Sequence, residues 1–75
     1  MAHEIAHVRA SVPEALEVEV IQHMVRFGGL ITTVECETDS RTGIGATIPK
    51  ANIAPLRSWL ESYSDGKGFL SEEQT

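Results

Sequence analysis

Twice within 75 residues the chain follows the same plan: an alternating apolar run, a proline, apolar residues at helical spacing, and a glycine exit. Two such units in so short a chain leave few possible folds. In the first, Ala6, Val8, Ala10 and Val12 alternate with His7, Arg9 and Ser11, the period-2 signature of a strand with one buried face. Pro13 supplies a fixed φ suited to a first helical turn, and Glu14 and Glu17 sit where the helix dipole favours acid. Leu16, Val20, Met24 and Phe27, with Ile21 beside them, then recur at helical spacing. Gly28-Gly29 supplies the left-handed conformation of a C-terminal cap, so the spacing predicts a helix of about 13 residues.

The second unit is reached through a hairpin. Leu30 to Thr38 is rich in β-branched residues, which argues strand over helix. Asp39 to Gly43 has turn composition, and Ile44, Ala46 and Ile48 alternate after it. Pro49 closes that strand, and Asn52 is placed to cap a second helix with Pro55 in its first turn, where a missing N–H costs little. Ile53, Leu56, Leu60 and Tyr63 form the apolar stripe of this helix. Gly66 ends it, Gly68-Phe69-Leu70 begins a short last strand, and Ser71 to Thr75 is polar and expected to fray. The order is β-α-β-β-α-β. Right-handed crossovers then predict an α+β, ferredoxin-like sandwich: a four-stranded antiparallel sheet of order 4-1-3-2 with both helices on one face.

Residues 1–75 are too few for a second core, so one small domain is expected. Cys36 is the sole cysteine, so no internal disulfide can form, which fits a reducing compartment. No apolar run approaches the roughly 20 residues that span a bilayer, and no signal peptide opens the chain, so the expected location is cytoplasmic, without a membrane partner. Six basic against eleven acidic residues give a net charge of −5. The cations Arg9, Arg26, Arg41, Lys50, Arg57 and Lys67 are spread singly, which argues against unaided tight binding to nucleic acid.

Val12-Pro13-Glu14, then Val20-Ile21 and Gly29-Leu30-Ile31, resembles the first half of the C-terminal, domain V-like module of the elongation factor G family of translational GTPases. The second half resembles it more closely. Ala46-Thr47-Ile48-Pro49-Lys50-Ala51-Asn52-Ile53 is similar to the family's Ala-x-Val-Pro-Leu-Ala-Glu-Met, Leu60 and Ser62 match in register, and Ser64-Asp65-Gly66-Lys67-Gly68 resembles its Thr-Gln-Gly-Arg-Gly turn. The resemblance covers about residues 6 to 70. There are departures: Arg26-Phe27-Gly28-Gly29 lacks the family's paired arginines, Lys50 replaces an apolar residue, and Ala54-Pro55-Leu56 stands where the family has Phe-Gly-Tyr. The resemblance implies a domain without catalytic residues, whose partners are the GTPase domain of a parent factor and the ribosome. The chain carries no phosphate-loop motif of its own, so no cofactor is expected.

Other chemistry finds little support in the sequence. His3 and His7 share a strand face and His23 sits on the first helix, but neither a Cys-x-x-Cys nor a His-x-x-x-His helix pair accompanies them, so no metal site is expected. Cys36 falls in the Leu30/Thr32/Val34/Cys36 series, which predicts a buried, inert thiol. The serines lie outside any nucleophile elbow, and Glu14, Glu17, Glu19, Glu35 and Glu37 read as a solvated surface rather than an acid–base pair. Trp59 and Tyr63, four apart, either complete the core edge or, if exposed, anchor an interface.

Two functional readings follow. In the first, the chain is a non-catalytic module that docks on a GTPase body, with Arg26, Lys50, Arg57 and Lys67 as candidate ribosome or RNA contacts, and Gly28, Gly29, Gly66 and Gly68 shaping the turns. In the second, it is a stand-alone regulatory or interaction domain that dimerises through a sheet edge or an open sheet face bearing His7, Arg9, Thr33 and Glu35.

Overall fold

The computed structural model describes residues 4–73. Strand β1 (Ile5–Pro13) leads through a single 3-10 turn (Glu14–Leu16) into helix α1 (Glu17–Arg26). The hairpin of β2 (Leu30–Thr38) and β3 (Arg41–Pro49) follows. A second 3-10 turn (Lys50–Asn52) opens helix α2 (Ile53–Tyr63), and β4 (Phe69–Glu73) completes the sheet. The four strands are antiparallel in the order β2-β3-β1-β4, so the α+β ferredoxin-like topology read from the sequence is the one formed.

Alternation decides which face each side chain takes. On β1, Ala6, Val8, Ala10 and Val12 are buried, and on β3 Ile44, Ala46 and Ile48 join them beneath the helices. The helices supply Val20 and Met24 from α1 and Ile53, Leu56 and Leu60 from α2, with Leu16, Ile21, Phe27 and Trp59 packed around them. Tyr63, expected to extend the α2 stripe, lies at its exposed edge.

Both helices end in paired hydrogen bonds that close the last turn. Gly28 N–H donates to the Val25 carbonyl (3.0 Å) and Gly29 N–H to the Met24 carbonyl (2.8 Å), with Gly28 at φ +85°. A Cβ on Gly29 would lie 2.7 Å from the Met24 carbonyl oxygen, so this position needs glycine for the close approach. At the end of α2 the equivalent left-handed residue is Asp65 (φ 58°), not the glycine expected from the sequence, and Gly66 (φ 81°) follows it. Asp is one of the few residues that enter this region readily, because its short side chain can bond locally.

The hairpin and the start of α2 depart from the sequence reading in three ways. The hairpin turn is only Asp39-Ser40, so Arg41, Thr42 and Gly43 are already strand. Asn52 makes no side-chain cap; its amide donates instead to the Phe27 carbonyl at 2.6 Å and ties the end of α1 to the start of α2. Most consequential, β2 is bulged between Ile31 and Thr33 and again between Cys36 and Thr38. An extra residue shifts the alternation by one, so Leu30 pairs on the open face while Val34 and Cys36 fall on the helix side. The strand also runs beyond the cover of the helices, and Cys36 is exposed rather than buried. At the other end of the sheet, β4 continues to Glu73, where a frayed end was expected.

Candidate functional site

The face of the sheet away from the helices is where polar side chains converge. His7, Arg9 and Ser11 project there from β1, Thr33 and Glu35 from β2, and Ser71 and Glu73 from β4. Arg9 lies across β3 to reach Glu37, with Nη2 3.0 Å and Nε 3.2 Å from Oε2. Ser11 donates to the other oxygen of Glu37 at 2.6 Å, and Glu35 stands 3.7 Å from the same guanidinium. Two glycines make this crossing possible. A Cβ on Gly43 would collide with the Arg9 guanidinium, and one on Gly45 would collide with the Thr33 hydroxyl. Glu37 itself is the extra residue of the second bulge, which turns its carboxylate toward this face.

The electrostatics follow from these contacts. The Ser11 hydroxyl first, and the Arg9 guanidinium second, hold the Glu37 carboxyl below its ordinary value. Glu37 in turn raises Arg9. Arg41 extends the network at the top of the sheet. Its Nη2 donates to the Ser11 carbonyl and to the Lys67 carbonyl, both at 2.9 Å, and its guanidinium lies 5.5 Å from the centre of the Phe69 ring. Next to Arg9, a shallow depression of about 280 Å³ is lined by His7, Thr32, Thr33, Glu35, Gly45 and Glu73. Its walls carry hydroxyls, carboxylates and one imidazole. Among the described residues there is no group of three or more His, Cys, Asp or Glu able to hold a metal ion; His3 lies outside those residues.

On the opposite side, the helix surfaces carry an aromatic stack. The rings of His23 and Trp59 are 3.8 Å apart and inclined by 11°, and Tyr63 continues the stack 4.9 Å from Trp59. The Tyr63 hydroxyl donates to the Glu19 carboxylate, which raises the phenol above its ordinary value. The stack bridges α1 and α2, so Trp59 and Tyr63 complete the core edge on a partly exposed surface.

The candidate cations do not meet in one patch. Arg26 and Lys50 lie at the end of the molecule where α1 stops and α2 starts, the end fixed by Asn52 and by the Lys50 N–H bonded to the Glu4 carbonyl. The Lys50 ammonium is 3.4 Å from Glu4. Lys67 belongs to the opposite end, beside Arg41 and the Pro13 end of β1. Arg57 stands on α2 near β4, its Nε 3.4 Å from the Leu70 carbonyl. Among the described residues, Arg26, Arg57 and Lys67 form no ion pair. Gly68 is held by its N–H bond to the Ser64 hydroxyl (2.7 Å), so the Gly66-Lys67-Gly68 turn is explained by capping. The sequence reading placed His7, Arg9, Thr33 and Glu35 on the open face, but missed Glu37, Gly43 and Arg41. Their signal was present only as glycines in a β-branched strand region, which mark close approaches.

No protein-family profile and no curated protein matches the chain. A solved crystal structure from Thermus thermophilus superimposes on 97% of this chain with a TM-score of 0.83 at 19% identity. The chain spans 11% of the length of that neighbour. At this identity the likeness shows the fold alone. Among the described residues no helix is long and apolar enough to cross a membrane.

Proposed function

We propose that this chain is a non-catalytic module of a translation factor related to elongation factor G, docking on a GTPase body and contacting the ribosome. The observation that carries the reading is the superposition of nearly the whole chain on a small part of a much longer solved protein. The in-register likeness of Ala46 to Ile53 and of the Gly66-Lys67-Gly68 turn to that family supports it further. In this reading Arg26 and Lys50 act together and Lys67 acts separately, because they occupy opposite ends; Arg57 faces a flank. GTP hydrolysis would belong to another domain of the parent.

The test is salt-dependent ribosome binding by a full-length parent that carries this chain as its terminal domain. Arg26→Ala with Lys50→Ala, and Lys67→Ala separately, are expected to weaken binding and to reduce its salt slope by about one for each phosphate left without its cation. Normal binding by both variants would refute the site assignment.

A second reading, a stand-alone dimer through the open face, is favoured by Ile5 and Leu30, which are 60% and 68% exposed at one end of that face. A tight dimer at micromolar concentration in sedimentation supports this reading against the first.

A further inference from the structure

The edge strand β2 is longer than the opposite edge of the sheet and leaves more backbone without a partner strand. Sheet edges are ordinarily kept short, charged, proline-bearing or bulged, because unpaired N–H and C=O groups invite another strand. β4, the opposite edge, has five residues, whereas β2 has nine and contains neither lysine nor proline. Its two bulges leave a regular window, Thr33 to Cys36, in unbroken register with β3. Within that window the two faces differ in chemistry. Val34, 48% exposed, and Cys36 lie on the helix side, while Thr33 and Glu35 lie on the open face.

Helix α1 extends the apolar half of this edge. Glu19 and His23 occupy the flank that meets α2, through Tyr63 and Trp59. At 100° per residue, Val18 and Val25 fall on the other flank, toward β2, and are 63% and 54% exposed. The edge is therefore bordered by valines on one side and by Glu35 and Glu37 on the other.

We propose that the outer edge of β2 at Thr33–Cys36 receives an extended segment of another protein as a fifth strand, with apolar and basic side chains alternating along it. The apolar set would cover Val34 against Val18 and Val25. The basic set would lie beside Glu35, whose side chain is 59% exposed and stands 3.7 Å from Arg9. Charge argues against a second copy of this chain as the occupant. Leu30 to Thr38 contains two glutamates and no cation, so two β2 edges would bring like charges together. This inference does not depend on the ribosomal reading.

The experiment uses the 75-residue chain, isotopically labelled, and two acetylated peptides as probes: one alternating lysine with valine, the other glutamate with valine. The lysine peptide is expected to shift and protect the amides of Thr33 to Cys36 and to slow thiol-reagent attack on Cys36, the sole cysteine. The glutamate peptide is expected to bind at least about tenfold more weakly, and Glu35→Lys to reverse the preference. Val34→Asp is expected to weaken the lysine peptide by a similar factor of about ten. Equal binding of both peptides by the unmodified chain, or shifts confined to other elements, would overturn the proposal without reliance on any variant. A concentration-dependent dimer that Val34→Asp abolishes would assign the edge to a second copy, and would also overturn it.

Discussion

The two faces of this sheet are stabilised in different ways. Beneath the helices, Val8, Ala10, Val12, Ile44 and Ile48 are at most 1% exposed, and packing against Met24, Leu56 and Leu60 removes their surface from water. On the other face the order comes from directed contacts: Arg9 crosses Gly43 to Glu37, Ser11 bonds the same carboxylate, and Arg41 links Ser11 to Lys67. Packing is non-directional and cooperative, so it fixes the fold. Exposed ion pairs gain little in water, so the open face fixes shape and local charge rather than stability. The difference teaches where each face is vulnerable: one to lost volume, the other to added volume and to pH.

The largest expected effect tests the covered face. Leu60→Ala removes a side chain that is 1% exposed in the centre of the core and should destabilise by about 2–5 kcal/mol, read from chemical denaturation. A loss under about 0.5 kcal/mol, the scale of surface substitutions, would mean that the core is not close-packed there.

A smaller effect is expected from Gly43→Ala on the open face. The new methyl group would displace the Arg9 guanidinium and sit 2.8 Å from Glu37 Oε2. Both neighbours are the ends of flexible side chains, so the expected cost is at the lower end of the overpacking range, about 1 kcal/mol. The specific signature is loss of the Arg9 Nε–H resonance shift characteristic of a carboxylate partner. An unchanged resonance in the variant would separate the glycine from the network.

The least disruptive change removes only charge. Because the Glu37 carboxyl is held below its ordinary value of 4.5, its contribution is complete above that value and is lost as pH falls through the lowered one. The difference in stability between the natural chain and Glu37→Gln should therefore be greatest near neutrality and shrink in acid below about pH 4.5. A difference that stays constant down to about pH 2, or grows, would show that the Arg9–Ser11–Glu37 cluster does not form.

The legibility of the two faces differs as well. Ala6 to Val12 declares its buried side by strict alternation, and Leu16, Val20 and Met24 declare theirs by helical spacing, because a single element sets the period. The β2 face was misread at Leu30, which pairs on the open face, whereas Cys36 keeps the helix side and is exposed because the strand runs past the helices. A bulge leaves no mark in composition, and its single extra residue moves every later side chain to the other face. Asn52 has the sequence position of a helix cap, yet the Phe27 carbonyl, brought near by the packing of α1 against α2, takes its amide. The cations Arg26, Lys50, Arg57 and Lys67 could be named from the chain, but their separation onto different ends is a property of the crossover topology.

By itself, the sequence determined the element order, the sheet topology and the identity of the core. Those follow from local periodicity, turn chemistry and the handedness of connections, all written within a few residues of one another. Only the tertiary structure decided which polar residues meet. Arg9 and Glu37 are far apart in the chain, and their contact depends on β2 and β1 flanking β3, on a bulge in β2, and on Gly43 leaving room between them. The same arrangement decided that β2 would stand at an edge with valines on one side and glutamates on the other. A side chain's face is a local property; its neighbours across strands are set by register, which depends on the whole sheet.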